Sequence, residues 1–403
     1  MNVIVIGGGA SGMVASYFSK KNGNDVTLIE KNEKLGKKLY ITGKGRCNLT
    51  NDCDVETFLN NVVTNPKFLL SSIYGFTPED TMNFFESLGL TLKTERGNRV
   101  FPVSDKSSDV IKVLEKALIN IGVDIHLNET VVDIDANCGE VKGVKTNLGY
   151  YNADKVIVAT GGISYQSTGS TGDGYKFASK LGHTVTELKP SLCGFNLKGE
   201  EYKLLQGLAL KNVTLSAYDN GKLYYKEMGE ILFTHFGISG PLVLTCSSLT
   251  CKRNLKNITL SIDLKPALSE KELDLRILRD FALNKNKEFK NSLDALLPKT
   301  IIPLIISRSN ILATKKNNVI TQEERLRLVN TLKNLTFSLN SLRDFTEAVI
   351  TSGGVSVKEI NPSTMESKIV KNLYFVGEVL DVDAFTGGFN LQIAFSTAKC
   401  SAE

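Results

Sequence analysis

Near its amino terminus the chain has the sequence VIVIGGGASG over residues 3–12, which is the strongest indication of the fold. The apolar run predicts a short buried strand, and the glycines that follow have the GxGxxG spacing. Residues 10–22 predict a helix, and a second strand over residues 26–29 leads into Glu30. A strand, a glycine turn, a helix and a strand with an acidic tip form the βαβ unit that binds a dinucleotide.

Each glycine of the motif has its own predicted role. Gly7 permits the tight turn, Gly9 lets the backbone approach a pyrophosphate, and Gly12 lets the helix pack closely on the strand. The free N–H groups at the helix start would face the phosphates, and Glu30 would accept hydrogen bonds from ribose hydroxyls. We therefore expect a bound dinucleotide, with a glycine-rich turn that binds no ligand as the alternative.

Downstream patterns extend this unit into a larger domain. Residues 105–121 place apolar side chains along one side of a helix. Short alternating strands follow, and together they predict a small antiparallel meander: 123–127, 130–134, 140–146 and 149–152. Buried strands predicted at residues 156–158 and 373–378 would rejoin the first sheet, so we expect the domain to be discontinuous.

A long insertion is predicted between the two parts of this domain. Residues 191–345 break the alternation of strands and helices, being β-rich over 191–265 and helical over 266–340. The predicted fold class is therefore α/β: a Rossmann-like dinucleotide domain formed by residues 1–190 and 346–403, with an inserted α+β domain.

The amino-acid composition limits the classes of protein to which the chain can belong. Of the 403 residues, 42% are hydrophobic and 23% charged, which excludes a mainly disordered chain. No apolar run is long enough to span a membrane, and no signal peptide is expected. The seven cysteines form no CxxC pair, so we expect reduced thiols, a cytoplasmic protein and no metal site. The net charge of +5 is typical of a solvated surface, and nucleic-acid binding is not expected.

Several motifs resemble those of one known family: LGKK at 35–38, TGKGRCNLTN at 42–51, STGSTGDG at 167–174, THFGISGP at 234–241, TMESK at 364–368, GEVLD at 377–381 and GGFNLQ at 387–392. Together with the GxGxxG unit they resemble the BaiN/YhiN-like FAD-dependent oxidoreductases over essentially the whole chain. The resemblance implies a two-dinucleotide-binding-type FAD domain and non-covalent FAD. It also implies NAD(P)H-linked reduction of a steroid-like enone, or oxidation of small amines or aminoketones.

The resemblance implies these residues at the FAD site: Gly7, Gly9, Ala10, Ser11, Gly12, Glu30, Lys37, Lys38, Gly45, Arg46, Val131, Val132, Thr160, Gly161, Glu378, Asp381, Gly388, Asn390 and Leu391. Among them, Ala10 and Ser11 would lie under the pyrophosphate. Val131 or Val132 would reach the adenine through backbone groups.

The carboxyl-terminal residues of this set would lie near the rest of the cofactor. The resemblance implies Glu378 and Asp381 beside the ribityl chain and phosphates. Asn390 and Leu391 begin a predicted helix, and their backbone N–H groups would face the N1–C2=O edge of the flavin, where negative charge develops.

The expected reaction is hydride transfer through flavin N5, with NADH or NADPH as donor and a small apolar enone as acceptor. An oxygen-dependent amine oxidase is one alternative, and a flavin-bound nucleic-acid-associated protein is another.

His235 is the catalytic candidate, as an acid or a substrate contact, and a structural role is equally compatible with its position. Arg46 is a second candidate, as an electrostatic contact. A redox pair of Cys47 and Cys53 is not favoured over inert thiols.

Overall fold

The computed structural model describes residues 1–403. It divides into two compact units. The larger unit comprises Met1–Ser191 and Asp344–Glu403, and the smaller unit comprises Leu192–Arg343. A membrane-spanning helix is absent, because no helix combines the necessary length with the necessary apolar character.

The strands in chain order are β1 Asn2–Ile6, β2 Asp25–Glu30, β3 Thr50–Asn51, β4 Val62–Thr64, β5 Leu92–Glu95, β6 Arg99–Pro102, β7 Asp124–Leu127, β8 Val131–Asn137, β9 Glu140–Thr146, β10 Tyr150–Asn152, β11 Lys155–Val158, β12 Lys189–Ser191, β13 Phe195–Leu197, β14 Ala209–Asp219, β15 Lys222–Thr234, β16 Gly237–Ser239, β17 Ile258–Asp263, β18 Leu335–Leu342, β19 Ile350–Ser352, β20 Leu373–Phe375 and β21 Asp383–Ala384.

The helices are α1 Ala10–Lys21, α2 Lys37–Ile41, α3 Val55–Asn60, α4 Leu70–Gly75, α5 Pro78–Ser87, α6 Ser107–Asn120, α7 Asp173–Lys180, α8 Pro241–Thr250, α9 Glu270–Leu283, α10 Ile302–Ser309, α11 Gln322–Lys333 and α12 Phe389–Ser401.

A parallel sheet of five strands forms the centre of the larger unit, in the order β20-β11-β1-β2-β7. Ile6 of β1 lies opposite Ile29 of β2 on one side and Val158 of β11 on the other. β1 and β11 are almost continuously apolar because helices cover both faces of such a sheet. β20, close to the carboxyl terminus, pairs with β11, so the predicted return of the late strand to the first sheet is confirmed.

The predicted four-strand meander is wrong at its first strand. β7 pairs in parallel with β2 and forms an edge of the central sheet, which leaves β8, β9 and β10 as a three-stranded antiparallel sheet. The physical reason is the connection, because α6 lies between β2 and β7 and allows the crossover that a parallel pair requires. A short alternating pattern does not show which partner a strand will choose.

The smaller unit contains a closed barrel in the strand order β13-β16-β15-β14-β17-β18. The prediction of helix up to residue 340 is wrong at its end, because residues 335–342 form β18, which closes the barrel between β17 and β13. Leu335, Phe337 and Leu339 are buried while the residues between them are exposed. That period of two is the pattern of a barrel strand with one solvated face.

Candidate functional site

The carboxyl ends of the parallel strands bring most of the predicted FAD residues to one edge of the sheet. The glycine turn follows β1, Glu30 ends β2, and Thr160 and Gly161 follow β11. The turn that contains Glu378 follows β20. Ligands of open α/β sheets bind at this edge, since successive loops meet there.

The three motif glycines differ in what surrounds them. Gly7 has a φ of +103°, and a Cβ there would lie 2.7 Å from the Ala159 carbonyl oxygen. A Cβ on Gly12 would lie 1.8 Å from the Gly7 carbonyl oxygen. Gly9 has a φ of −80°, and its Cβ would meet nothing within 4 Å. Gly7 and Gly12 therefore serve the packing of the protein, whereas Gly9 borders open space at the start of α1.

Glu30 is buried at the tip of β2. One carboxylate oxygen accepts the Gly8 backbone N–H at 2.7 Å, and the other accepts the backbone and side-chain N–H groups of Asn32 at 2.8 and 2.6 Å. A carboxylate has about four acceptor positions, so one remains for a ribose hydroxyl. Glu30 also holds the glycine turn, a role that the spacing alone did not indicate.

Lys38 and Glu378, both predicted at the FAD site, form an ion pair across the larger unit. Their charged atoms are 2.6 Å apart, and each side chain is about one-fifth exposed. The Lys38 ammonium also donates to Ser164. The other oxygen of Glu378 accepts the Thr351 backbone N–H at 2.9 Å and the Ser164 hydroxyl at 3.1 Å. Sequence reasoning missed Ser164 and Thr351, whose residue types carry no motif signal.

Two lysines near the tip of β2 have local partners. Lys31 contacts Asp173 at 2.6 Å and also donates to Thr171, which ties β2 to the start of α7. Lys37 donates to Asn32 and Glu33 at 3.2 Å. Lys31 and Asp173 were not among the predicted site residues, although the TGDG sequence before a helix was a signal for the latter.

The segment TGKGRCNLTN at residues 42–51, which we call the GRCN loop, packs against the GGFNLQ motif at residues 387–392. The Thr50 hydroxyl donates to the Gln392 side-chain oxygen at 2.6 Å, and both residues are fully buried. The Asn51 amide donates to the Gly387 carbonyl oxygen at 3.0 Å. A Cβ on Gly388 would lie 2.3 Å from the Thr50 backbone, so Gly388 is required for this close packing. The sequence did not show that these motifs are partners.

The first turn of α12 contains both residues predicted at the flavin edge. Asn390 uses its side chain within the protein, accepting from the Ala384 backbone N–H at 3.0 Å and donating to the Ala384 carbonyl at 2.8 Å. The backbone N–H groups of Asn390 and Leu391 belong to the first helical turn, where no intrahelical acceptor is available. These two N–H groups are therefore able to donate hydrogen bonds to the N1–C2=O edge of a flavin, as the predicted role requires.

Arg46 belongs to a neutral charge cluster. Its guanidinium donates to Glu95 at 2.5 Å and to Asp105 at 2.8 Å, and it stacks 4.2 Å from the Phe101 ring centroid. Lys93 pairs with Asp105 at 2.7 Å. The hydrogen bonds from Glu95 and then Asp105 raise the pKa of Arg46 above its ordinary value, so this side chain does not donate a proton. Gly45 lies in the same loop with a φ of +86°.

An open cleft of about 510 Å³ borders the predicted adenine strand. Val131 and Val132 line it from β8, and Lys176 and Phe177 line it from α7. Val131 is buried and Val132 is half exposed. Backbone groups of this strand are therefore beside an open space, as the prediction requires.

The remaining candidates do not belong to one unit. His235 is exposed on the turn between β15 and β16 of the smaller unit, and its ring contacts the Phe236 ring at 5.1 Å between centroids. Asp381 follows the turn after β20, and its backbone N–H donates to the Val355 carbonyl oxygen.

All cysteines are free thiols, and burial raises the pKa of Cys47 to about 12 and of Cys53 to about 11.

Comparison with known proteins gives the family. Residues 1–403 match the HI0933-like protein Rossmann domain. The chain belongs to the HI0933-like family. This family is one of FAD-dependent oxidoreductases with a Rossmann domain.

Two curated relatives are matched at nearly the same identity. A 3-dehydro-bile acid delta(4,6)-reductase from Clostridium scindens is 30% identical over 98% of this chain and 96% of its own. A ribosomal RNA dihydrouridine synthase from Escherichia coli is 30% identical over 100% of this chain and 97% of its own. A ribosomal RNA dihydrouridine synthase from Haemophilus influenzae is 31% identical over 99% of this chain and 97% of its own.

Solved structures share the fold at low identity. A 3-ketosteroid-delta4-(5alpha)-dehydrogenase from Rhodococcus jostii has a TM-score of 0.50 and 14% identity, covering 100% of this chain and 96% of its own. Sdh1 from Mycobacterium smegmatis has a TM-score of 0.51 and 14% identity, covering 100% and 68%.

The residues of the larger unit fit FAD. Gly9 leaves open space where the pyrophosphate is expected, and a larger side chain would fill it. The Asn48 side-chain oxygen, in the GRCN loop, and the Thr160 hydroxyl, after β11, are buried without a hydrogen-bond partner in the protein. Buried polar atoms of this kind indicate a missing partner. FAD, which has many donors and acceptors, would offer one to each of these two atoms.

Proposed function

We propose that this chain reduces a carbon–carbon double bond conjugated to a carbonyl group, with NADH or NADPH as the hydride donor. One observation carries the proposal. The two curated relatives are matched over almost their whole lengths, and their names describe the same change of bond. A delta(4,6)-reductase of a 3-dehydro steroid removes double bonds conjugated to a ketone, and dihydrouridine is uridine whose double bond beside a carbonyl has been saturated.

The residues of the larger unit would hold the cofactor for this reaction. The space beside Gly9 and the start of α1 would receive the pyrophosphate, and Glu30 would fix the adenosine ribose. The Lys38–Glu378 pair would border the ribityl chain, where its partly buried hydrogen bonds keep the surrounding loops in place. Bound FAD supplies hydride transfer through N5.

The acceptor needs two hydrogen equivalents. A hydride is delivered to the carbon β to the carbonyl, and a proton is delivered to the α carbon. Among the residues predicted to act, His235 carries an imidazole, the side chain that most often serves as a general acid, so we assign the proton to it. Arg46 is not that donor, because Glu95 and Asp105 stabilise its charged form. Reduced thiols fit a cytoplasmic site of action.

Anaerobic flavin titration tests the proposal. Purified protein with FAD is mixed with NADH or NADPH, and the visible flavin absorbance is followed. It should fall, and it should return on addition of a 3-oxo-4-ene steroid or a uridine-containing RNA. Bleaching by a small amine, with no response to either nicotinamide, would instead establish the oxidase alternative.

A further inference from the structure

The two units carry opposite net charge. The smaller unit has 23 lysines and arginines against 14 aspartates and glutamates, a formal net charge of +9. The larger unit has 25 against 29, a formal net charge of −4. The modest value of +5 for the whole chain therefore conceals a strongly basic insertion. A basic excess of this size in one unit attracts polyanions.

Part of this excess is concentrated where two loop segments run antiparallel, residues 285–290 and 313–318. The Phe289 backbone N–H donates to the Lys315 carbonyl oxygen at 2.8 Å, and the Asn317 N–H donates to the Lys287 carbonyl oxygen at 3.1 Å. This pairing brings together five lysines, which we call the lysine surface: Lys285, Lys287, Lys290, Lys315 and Lys316.

Buried side chains hold the lysine surface in place. Asn317 is buried, and its amide donates to the Asn284 carbonyl oxygen at 2.8 Å and to the Ser292 hydroxyl at 2.7 Å. Phe289 is fully buried and stacks edge-on against Phe281 of α9. The lysines are therefore presented by an ordered backbone, which reduces the conformational entropy lost when a ligand binds.

Most of this charge is not neutralised within the protein. Lys290 pairs with Glu288 at 2.9 Å, and Lys315 pairs with Glu324 at 2.7 Å. Lys285, Lys287 and Lys316 are exposed and have no carboxylate within ion-pair distance. The backbones of these three lysines are brought close by the pairing of the two segments, so a ligand with several negative charges that spans them is attracted by charge that the protein does not neutralise.

We propose that the lysine surface binds the phosphate backbone of an RNA whose uracil is the reduced base. The choice of RNA rests on the proposed function, because a uracil within RNA is one of the two acceptors that function allows. The location rests on charge and geometry alone. Exposed Leu283 and Leu312 flank the lysines, so an acidic membrane is the rival ligand that a test must include.

The test compares charge reversals in the two units. One variant carries Lys285→Glu, Lys287→Glu and Lys316→Glu. The matched control carries Lys67→Glu, Lys112→Glu and Lys116→Glu, which are exposed lysines of the larger unit without an ion pair. Full-length protein with FAD is titrated into a labelled uridine-containing RNA hairpin over a range of salt. A DNA hairpin of the same sequence and phosphatidylserine vesicles are the comparison ligands.

We expect wild type and control to bind the RNA alike, and the lysine-surface variant to bind at least about tenfold more weakly. Its slope of log affinity against log salt should be shallower by about 2, since each lost phosphate contact removes about 0.7–0.9. Unchanged affinity and slope in the variant would overturn the proposal. An equal loss of RNA affinity in the control variant would also overturn it, and so would wild-type protein that binds the vesicles or the DNA more tightly than the RNA.

Flavin reoxidation separates this proposal from the proposed function. If RNA binds at the lysine surface but neither RNA nor a 3-oxo-4-ene steroid restores the flavin absorbance, the surface stands and the reductase assignment fails. Both proposals stand if two results are obtained. The steroid should restore the flavin absorbance of the variant at the wild-type rate, and RNA should restore the flavin absorbance of the wild type but not that of the variant. Retained FAD content and thermal midpoint show that the variant is folded.

Discussion

The two units differ in how they are equipped to bind a ligand. The larger unit contains 26 of the 33 glycines and presents backbone groups at the ends of parallel strands, whereas the smaller unit contains 7 glycines and carries its excess of charge on exposed side chains. Backbone contacts suit a cofactor of fixed shape, because they need close approach. Exposed charges suit a large, variable partner. The glycines and the excess of positive charge are thus concentrated in different units of one chain.

The largest expected effect concerns Gly9 in the larger unit. Gly9→Val should leave the protein folded, because its Cβ meets nothing within 4 Å, and should abolish FAD binding by filling the pyrophosphate space. Gly12→Val is the control for packing: its Cβ would lie 1.8 Å from the Gly7 oxygen, so it should lower the thermal midpoint as well. Absorbance spectra and thermal melts measure both. A yellow Gly9→Val protein with stoichiometric FAD would refute the assignment.

The next effect concerns His235 in the smaller unit. His235→Ala should keep FAD and slow flavin reoxidation by the acceptor about 10²–10⁴-fold, the usual loss of a general acid. Its ring is exposed, so stability should change little. His183→Ala is a matched control, because that ring is buried and bonded to Ser367 at 2.8 Å. The control should lower the thermal midpoint and leave turnover per folded molecule intact. Stopped-flow rates equal to wild type would remove His235 from the site.

A smaller effect is expected at Glu30. Glu30→Gln should weaken FAD binding by about 1–3 kcal/mol, since a charge-assisted hydrogen bond to the ribose is lost. FMN lacks that ribose, so it should compete better in the variant. Glu33→Gln, at a more exposed carboxylate that pairs with Lys37, should change neither affinity. Equal shifts for FAD and FMN on calorimetric titration would show that Glu30 acts on the protein fold alone.

The smallest effect is a pH dependence of stability at His126. Burial alone would lower the pKa of His126, but hydrogen bonds to Glu129 and Asp124 outweigh it and raise the pKa. The stabilisation is therefore complete below the unfolded pKa and is lost as pH rises through the folded pKa. The stability difference between wild type and His126→Gln, below about 1 kcal/mol, should shrink as pH rises above the ordinary histidine pKa of about 6.5. Denaturant melts that show a constant difference would contradict this.

His183 provides the opposite sign in the same unit. Burial lowers its pKa, against the raising effect of Glu359. The unfolded chain then binds the proton more readily, so His183 destabilises the fold as pH falls below its unfolded pKa. Wild type should therefore gain stability relative to His183→Gln as pH rises through that range, the reverse of the trend at His126.

Local chemistry was predictable wherever one short segment contains the whole signal. The GxGxxG turn, the helix after it and the acid that ends β2 lie within thirty residues, and the structure places them as expected. Their physical requirements are local: a positive φ at Gly7, close packing at Gly12 and a strand that ends at Glu30. No distant partner is needed to recognise them.

Pairings between distant segments were not predictable. Thr50 meets Gln392, and Lys38 meets Glu378, across more than three hundred residues of chain. Each residue type is common, and its role exists only once the loops are adjacent. The same limit explains β7 and β18, because strand pattern shows which side chains point inward but not which strand lies alongside.

The dinucleotide unit, an insertion and the class of FAD-dependent oxidoreductase could be predicted from the residues alone, because these depend on local spacing and on motifs. The fold was needed to show which loops meet at the carboxyl ends of the parallel strands, how the barrel closes and which lysines are neighbours. The whole-chain charge of +5 led us not to expect nucleic-acid binding, although the two units carry +9 and −4, and folding brings residues 285–290 beside residues 313–318. The physical reason is that electrostatic attraction depends on the positions of charges in space, and only the fold fixes those positions.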